Sequence, residues 1–374
     1  MMPAAIALVL ALSIFLTTLQ ALLTWRFRAP RVPSRERHSR PRFVSILKPV
    51  CGLDDELEEN LVSFAHLRGV AHEVILSVAD ERDPALAVIE RVRTAHPRAP
   101  FRVVIGGDPR FERGNRKVAR LIAAAAAASG DLLFISDSNV RTEPDDVART
   151  VAAFDDPRVG CVSNLFTGAG AETFGAAIEA LHLLSFVVPG NVLAAAARVP
   201  CVVGKSMAIS REALAAAGGF QAFANVLAED QALGLAVKEA GFAVLLSPVV
   251  VRNVIVRRTL KRAMQRQVRW NKIRYAFSKS AYTAELLINP LPFAIAGAIA
   301  GPFAILPLTI ILRIAQVAIL AVATDAPLRA RDLALVPLLD ALMFVAQFVP
   351  YLDDTVEWRG HPMRIGRNTV LLEA

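Results

Sequence analysis

Leu132-Leu133-Phe134-Ile135-Ser136-Asp137-Ser138-Asn139 is the stretch that decides the fold. An uncharged apolar run too short for a helix ends on an acid and two small polar residues, which predicts a buried strand closing at its carboxyl end on Asp137. On either side the reading changes to helix: residues 117–128 are alanine-rich, and residues 143–154 open on Glu143-Pro144. Further back, residues 43–47, 73–78 and 101–105 read as strands, and residues 53–67 and 84–94 as helices, the second opened by proline in its first turn. Strands alternating with helices predict an α/β layer with a mostly parallel sheet. Ligands of such sheets bind at the carboxyl ends of the strands. Neither G-x-G-x-x-G nor G-x-x-x-x-G-K-[ST] occurs, so dinucleotide and P-loop readings lose their main support.

The remainder of the chain is not that of an ordinary soluble enzyme. Of 374 residues, 54% are hydrophobic and 20% charged, apolar-rich and charge-poor against the soluble norm. Cys51, Cys161 and Cys201 make no C-x-x-C pattern and are too few for a disulfide framework. The net charge of +8 is local: residues 252–279 hold ten Lys/Arg and no acid, and residues 26–42 hold seven Arg and one Glu. Everything else is net acidic.

Both basic blocks border apolar tracts. Residues 1–25 carry no charge and are long enough to span a hydrocarbon core. A cleaved signal peptide would want its positive charge before the run, and here the arginines follow it, so a retained anchor is expected. Residues 286–324 are interrupted only by Arg313, and residues 333–352 only by Asp340. The first tract holds four prolines. It reads either as two short spans broken near Gly301-Pro302 or as one span preceded by an interfacial or re-entrant piece. Two or three C-terminal segments result. Basic residues favour the cytoplasmic side. The expected organisation is an anchor at 1–25, a basic linker at 26–41, a cytoplasmic α/β domain at 42–256, a basic interfacial segment at 257–284, a membrane region at 285–352 and a tail at 353–374.

Four positions offer chemistry. Asp80 and Asp137 each follow a strand, where carboxylates can hold a ribose or base, or Mg²⁺ or Mn²⁺ against a diphosphate. The plainer reading of each is a helix N-cap. Glu229-Asp230 opens an apolar helix, which the helix dipole alone would favour. Arg266-x-x-Arg269-Trp270 lies inside the ten-base block, where a solvated or membrane-facing surface is the default and Trp270 suits an interfacial anchor.

Together, in this order, Asp80, Asp137, Asp230 and Arg266-x-x-Arg269-Trp270 resemble the D, D, D, (Q/R)-x-x-R-W signature of processive and lipid-acceptor glycosyltransferases of the GT-A fold. The resemblance is closer to the ceramide glucosyltransferase family, through Leu47-Lys48-Pro49-Val50-Cys51-Gly52, Asn115-x-Lys117, Gly204-x-Ser206, Gly218-Gly219, Glu229-Asp230 and Trp358-Arg359-Gly360. Two departures stand out. Asp137-Ser138-Asn139 replaces Asp-x-Asp, so Asn139 offers a carbonyl oxygen but no charge, and Asp137 is left as the metal ligand. Val188, not histidine, precedes Pro189.

The resemblance implies a UDP-sugar donor, with Asp80 at the nucleoside, Lys117 and Glu229 in the donor site, and Mg²⁺ or Mn²⁺ on Asp137. It implies Asp230 as general base, and Arg266, Arg269 and Trp270 around the diphosphate and sugar. The reaction expected is inverting transfer to a lipid hydroxyl, glucose from UDP-glucose to ceramide. A hopanoid N-acetylglucosaminyltransferase is the rival within the class. A polysaccharide synthase would want a longer membrane region. A non-catalytic scaffold sits poorly with three retained aspartates. The Ala- and Arg-rich composition fits a bacterium, hence an inner-membrane protein whose catalytic domain faces the cytoplasm.

Overall fold

The computed structural model describes residues 2–28, 42–112, 114–358 and 361–373. Most of the basic linker 26–41, and Arg359 and Gly360 of the tail motif, lie outside the described residues. The chain divides into two compact units, one formed by Ala29–Thr167 with Ala194–Val254 and the other by Met1–Arg28, Gly168–Leu193 and Ile255–Ala374.

The first unit is built on an eight-stranded sheet. Its strands are β1 (Phe43–Pro49), β2 (Ala71–Val78), β3 (Phe101–Ile105), β4 (Leu132–Ser136), β5 (Val140–Arg141), β6 (Val159–Ala169), β7 (Ser206–Ser210) and β8 (Ala243–Val254). The order is β3-β2-β1-β4-β7-β6-β8-β5. The β3-β2-β1-β4 half is parallel, as the alternating pattern predicts. Beyond β4 the β4–β7, β6–β7 and β5–β8 pairings are antiparallel, with Ser136 of β4 opposite Ser206 of β7.

Period-two alternation builds the core on both faces. Val44, Ile46, Val74, Leu76, Leu132 and Phe134 pack into one buried cluster, and Leu47, Ile75, Leu133 and Ile135 into another. Glu73 staples the parallel half: its carboxylate accepts from Ser45 Oγ, Ser129 N, Ser129 Oγ and Arg102 Nη1, each at 2.7 Å. Strand β6 is buried almost throughout despite Ser163, Asn164 and Thr167. Asn164 is satisfied between Thr150 Oγ1 at 3.0 Å and Ser206 Oγ at 2.9 Å.

The second unit is largely helical. Among the described residues, Ala4–Phe27, Phe174–Ala196 and Ile305–Ala323 are long and apolar enough to cross a membrane. Lys279–Ile288 and Leu291–Ala300 form a further apolar pair bent by 57°. An apolar helix occupies most of the 1–25 tract of the sequence reading, and within the 286–324 tract Leu291–Ala300 ends where Gly301 begins. Phe174–Ala196 does not follow it. The sequence puts these residues inside one block spanning 42–256, whereas Gly168–Leu193 groups with the apolar helices. Glu179 and His182 hide its character; both are buried, and Glu179 is ion-paired with Arg266 and Arg258. In the tail, Thr355–Trp358, His361–Ile365 and Leu371–Glu373 form a three-stranded antiparallel sheet.

Candidate active site

The carboxyl edge of the parallel strands carries the site. Asp137 leaves β4 and is not a helix cap, because the short strand β5 comes next and the following helix, Asp146–Val151, is preceded by Asp145. Its carboxylate is gripped at both oxygens: Lys117 Nζ lies 2.9 Å from Oδ1 and Lys205 Nζ 3.0 Å from Oδ2. Burial works against the charge, but the two ammonium groups hold the Asp137 carboxyl well below the usual carboxylate range. From behind, the buried Lys48 donates to the Asp137 carbonyl at 2.8 Å and to Ser136 Oγ at 3.2 Å. Its ammonium also stands 3.9 Å over the Phe64 ring. Burial pulls the Lys48 ammonium down to about 7, against the neighbouring Asp137 and Asp54.

Lys117 joins this group to the acidic pair. It lies in the first turn of helix Arg116–Ala127, whose N-cap Asn115 accepts from the Lys117 and Val118 N–H groups. Besides Asp137, Lys117 Nζ meets Glu229 Oε1 at 3.1 Å. Asn115 Nδ2 donates to the other Glu229 oxygen at 2.9 Å. Burial and the adjacent Asp230 push the Glu229 carboxyl upward, with Lys117 opposing. Asp230, half-buried, opens helix Glu229–Glu239 one residue later. Its Oδ2 accepts from the Gly204 N–H at 2.6 Å and its Oδ1 from the Gln231 N–H at 2.8 Å. Gly204 is glycine for a steric reason: a Cβ there would stand 2.7 Å from Lys117 Nζ and 3.2 Å from Asp230 Cβ. Lys117, Gly204, Glu229 and Asp230 line one crevice floored by Ile135 and Met207.

Asp80 is exposed just past β2, its Oδ1 accepting from the Arg82 N–H at 2.7 Å. The helix after it starts at Ala85 behind Pro84, and Asp83, one residue earlier, accepts from Ala85 N and Gly52 N. The structure thus brings Lys117, Asp137, Glu229 and Asp230 together and sets Asp80 at the carboxyl end of β2, separated from β4 by β1.

Arg266, Arg269 and Trp270 belong to the other unit, on helix Leu260–Phe277. There Arg266 Nη1 meets Glu179 Oε1 at 2.6 Å and its guanidinium stacks 4.0 Å from the Trp270 ring. Arg269 is exposed. Sequence reasoning missed Lys205, Lys48 and Glu179. Lys48 had a signal, a lone lysine in an apolar strand; Lys205 had none, being the unspecified residue of Gly204-x-Ser206.

Among the described residues no three His, Cys, Asp or Glu side chains gather into a metal cage. The oxygen donors near Asp137 are its carboxylate and the Asn139 amide oxygen, hard ligands of the kind Mg²⁺ or Mn²⁺ accepts when phosphate oxygens and water complete the shell. The residues therefore fit a cation held jointly with a diphosphate, not a protein cage.

Comparison with known proteins decides the family. The model of glycosyl transferase family 21 matches residues 5–371. The chain belongs to that family. Ceramide glucosyltransferase 1 of Caenorhabditis elegans is 29% identical over 65% of this chain and 52% of its own length. Ceramide glucosyltransferase 3 of the same organism is 26% identical over 66% of this chain and 53% of its own length. The family 21 chain thus spans about half the length of these curated relatives. In fold it is similar to a mannosyltransferase from Pyrobaculum calidifontis, solved in complex with GDP-Man and Mn²⁺, with a TM-score of 0.54 and 19% identity over 93% of this chain and 99% of that one. The GT-A reading of the sheet agrees with this likeness.

Proposed function

We propose that this family 21 chain transfers glucose from UDP-glucose to the hydroxyl of ceramide, with inversion, at the cytoplasmic face of a bacterial inner membrane. The observation that carries the reading is the Lys117 ammonium held between Asp137 and Glu229, beside Asp230. That cluster joins positive charge for a diphosphate to a carboxylate suited to proton abstraction. The ceramide glucosyltransferases among its relatives support the acceptor. The apolar helices and the flanking basic residues support the membrane and its orientation.

Asp230 takes the proton of the acceptor hydroxyl as its oxygen bonds to the anomeric carbon. The bond from that carbon to the diphosphate oxygen breaks, and UDP leaves with the electron pair. General-base assistance of this kind is worth roughly 10²–10⁴-fold. The Gly204 N–H and the helix start orient Asp230, and Lys117 offsets charge on the leaving diphosphate. Asp80 is assigned to the nucleoside. Arg266 and Arg269 are assigned to phosphate oxygens, which guanidinium groups bind bidentately, and Trp270 to the sugar. Asp137, together with the diphosphate oxygens, would hold Mg²⁺ or Mn²⁺, which when bound acts as a Lewis acid on the diphosphate.

The test is incubation of the purified chain in lipid nanodiscs with UDP-glucose, UDP-N-acetylglucosamine and UDP-galactose against ceramide and hopanoid acceptors, scored by mass. Hexosylceramide from UDP-glucose is the expected product. N-acetylhexosamine on the hopanoid alone would replace ceramide by the rival acceptor.

A further inference from the structure

Lys205 has no role in the reading above, yet it sits at the centre of the site. Its ammonium lies 3.0 Å from Asp137 Oδ2 and 2.8 Å from Asn139 Oδ1, so it bridges the first and third residues of Asp137-Ser138-Asn139. A divalent cation bridging two such residues is balanced by two carboxylates, whose two negative charges match its own. Here the third residue is neutral. One carboxylate and one amide oxygen match the single charge of an ammonium.

The backbone fixes this placement. Strands β4 and β7 pair antiparallel with Ser136 opposite Ser206, and the Asp137 N–H donates to the Lys205 carbonyl at 3.3 Å. Lys205 therefore comes opposite Asp137 through the register of the sheet. Its side chain is 14% exposed, and that of Asp137 is 21% exposed. Charges at this depth are screened less than surface ones. With Lys117 on Oδ1, both oxygens of Asp137 are covered by ammonium groups, so an incoming diphosphate meets positive charge rather than a bare carboxylate.

We infer that Lys205 is a diphosphate-binding residue, its ammonium taking the bridging place of a cation and giving the donor site a share of nucleotide affinity that needs no divalent metal. The inference rests on the reading of this cluster as the donor site. It deepens that reading by adding a cation-independent component.

The experiment is calorimetric titration of UDP into the full-length protein in nanodiscs, once with excess EDTA and once with Mn²⁺. Wild type should bind UDP in EDTA within about tenfold of its affinity in Mn²⁺. Lys205→Met should lose the EDTA binding by about tenfold or more and keep the Mn²⁺ binding within about threefold. Lys205→Arg, which preserves the charge, should retain the EDTA binding within about threefold. Equal binding by Lys205→Met and wild type in EDTA overturns the inference. So does a loss in Lys205→Arg as large as in Lys205→Met. Wild-type binding only with Mn²⁺ also defeats it, leaving the donor-site reading intact. No UDP binding in either buffer defeats the donor-site reading itself.

Discussion

Arg313 and Asp340 meet through two hydrogen bonds, Nε to Oδ2 at 2.9 Å and Nη2 to Oδ1 at 3.1 Å. They are the only charged residues of the two C-terminal apolar tracts, 286–324 and 333–352. Each is nearly inaccessible, at 5% and 1% side-chain exposure. Gln316 Oε1 accepts from Arg313 Nη1, and Gln316 Nε2 donates to Thr18 Oγ1 on the N-terminal helix. The polar seam thus ties helix Ala4–Phe27 to the C-terminal helices.

Removing one member strands the other in an apolar interior. Arg313→Met or Asp340→Leu alone is expected to cost about 3–5 kcal/mol, and the double variant to recover most of that loss. Thermal unfolding of nanodisc-embedded protein checks this. Single variants melting like wild type would show that the pair does not hold the helices.

Glu73 ties β1, β2, β3 and the Ser129 loop, and that tie depends on pH. Burial opposes its charge, but bonds from Ser129, Ser45 and Arg102 lower its folded pKa from 4.5 to about 2. A depressed folded pKa stabilises above the unfolded value and loses that contribution as pH falls through the folded one. Stability should therefore drop between pH 4.5 and about 2, by about 3 kcal/mol from this group. Glu73→Gln should start less stable at pH 7 and show a shallower acid slope in denaturant titrations. An unchanged slope would remove Glu73 from the acid response.

Gly204→Ala places a methyl group 2.7 Å from Lys117 Nζ and 3.2 Å from Asp230 Cβ. Displacement of either group by a fraction of an ångström should lower turnover about 100-fold, since catalytic alignment is sensitive at that scale. The melting temperature should change little, because Gly204 does not have a left-handed backbone that only glycine accepts. Steady-state kinetics beside a melting curve separates the two effects. Wild-type turnover would mean that the crevice tolerates a side chain.

The parallel half of the sheet was legible because short apolar runs alternate with amphipathic helices, and Asp137 because an acid closes an apolar strand. Pattern failed where burial is not apolar. β6 is buried with Ser163, Asn164 and Thr167 paired inside, so it shows no alternation to read. Phe174–Ala196 carries Glu179 and His182, which broke the apolar run although both are buried in the second unit. Lys205 became meaningful only through the β4–β7 register, a long-range fact that no local pattern encodes.

Asp230 is proposed to drive an inverting sugar transfer to a lipid. This is tested most directly by proton NMR of the glycolipid formed from α-linked UDP-glucose and ceramide, in wild type and in Asp230→Asn. Wild type should form a β-linked glucosylceramide, with product formation reduced about 10²-fold or more in Asp230→Asn while UDP still binds. An α-linked product, or Asp230→Asn turning over at the wild-type rate, would contradict it.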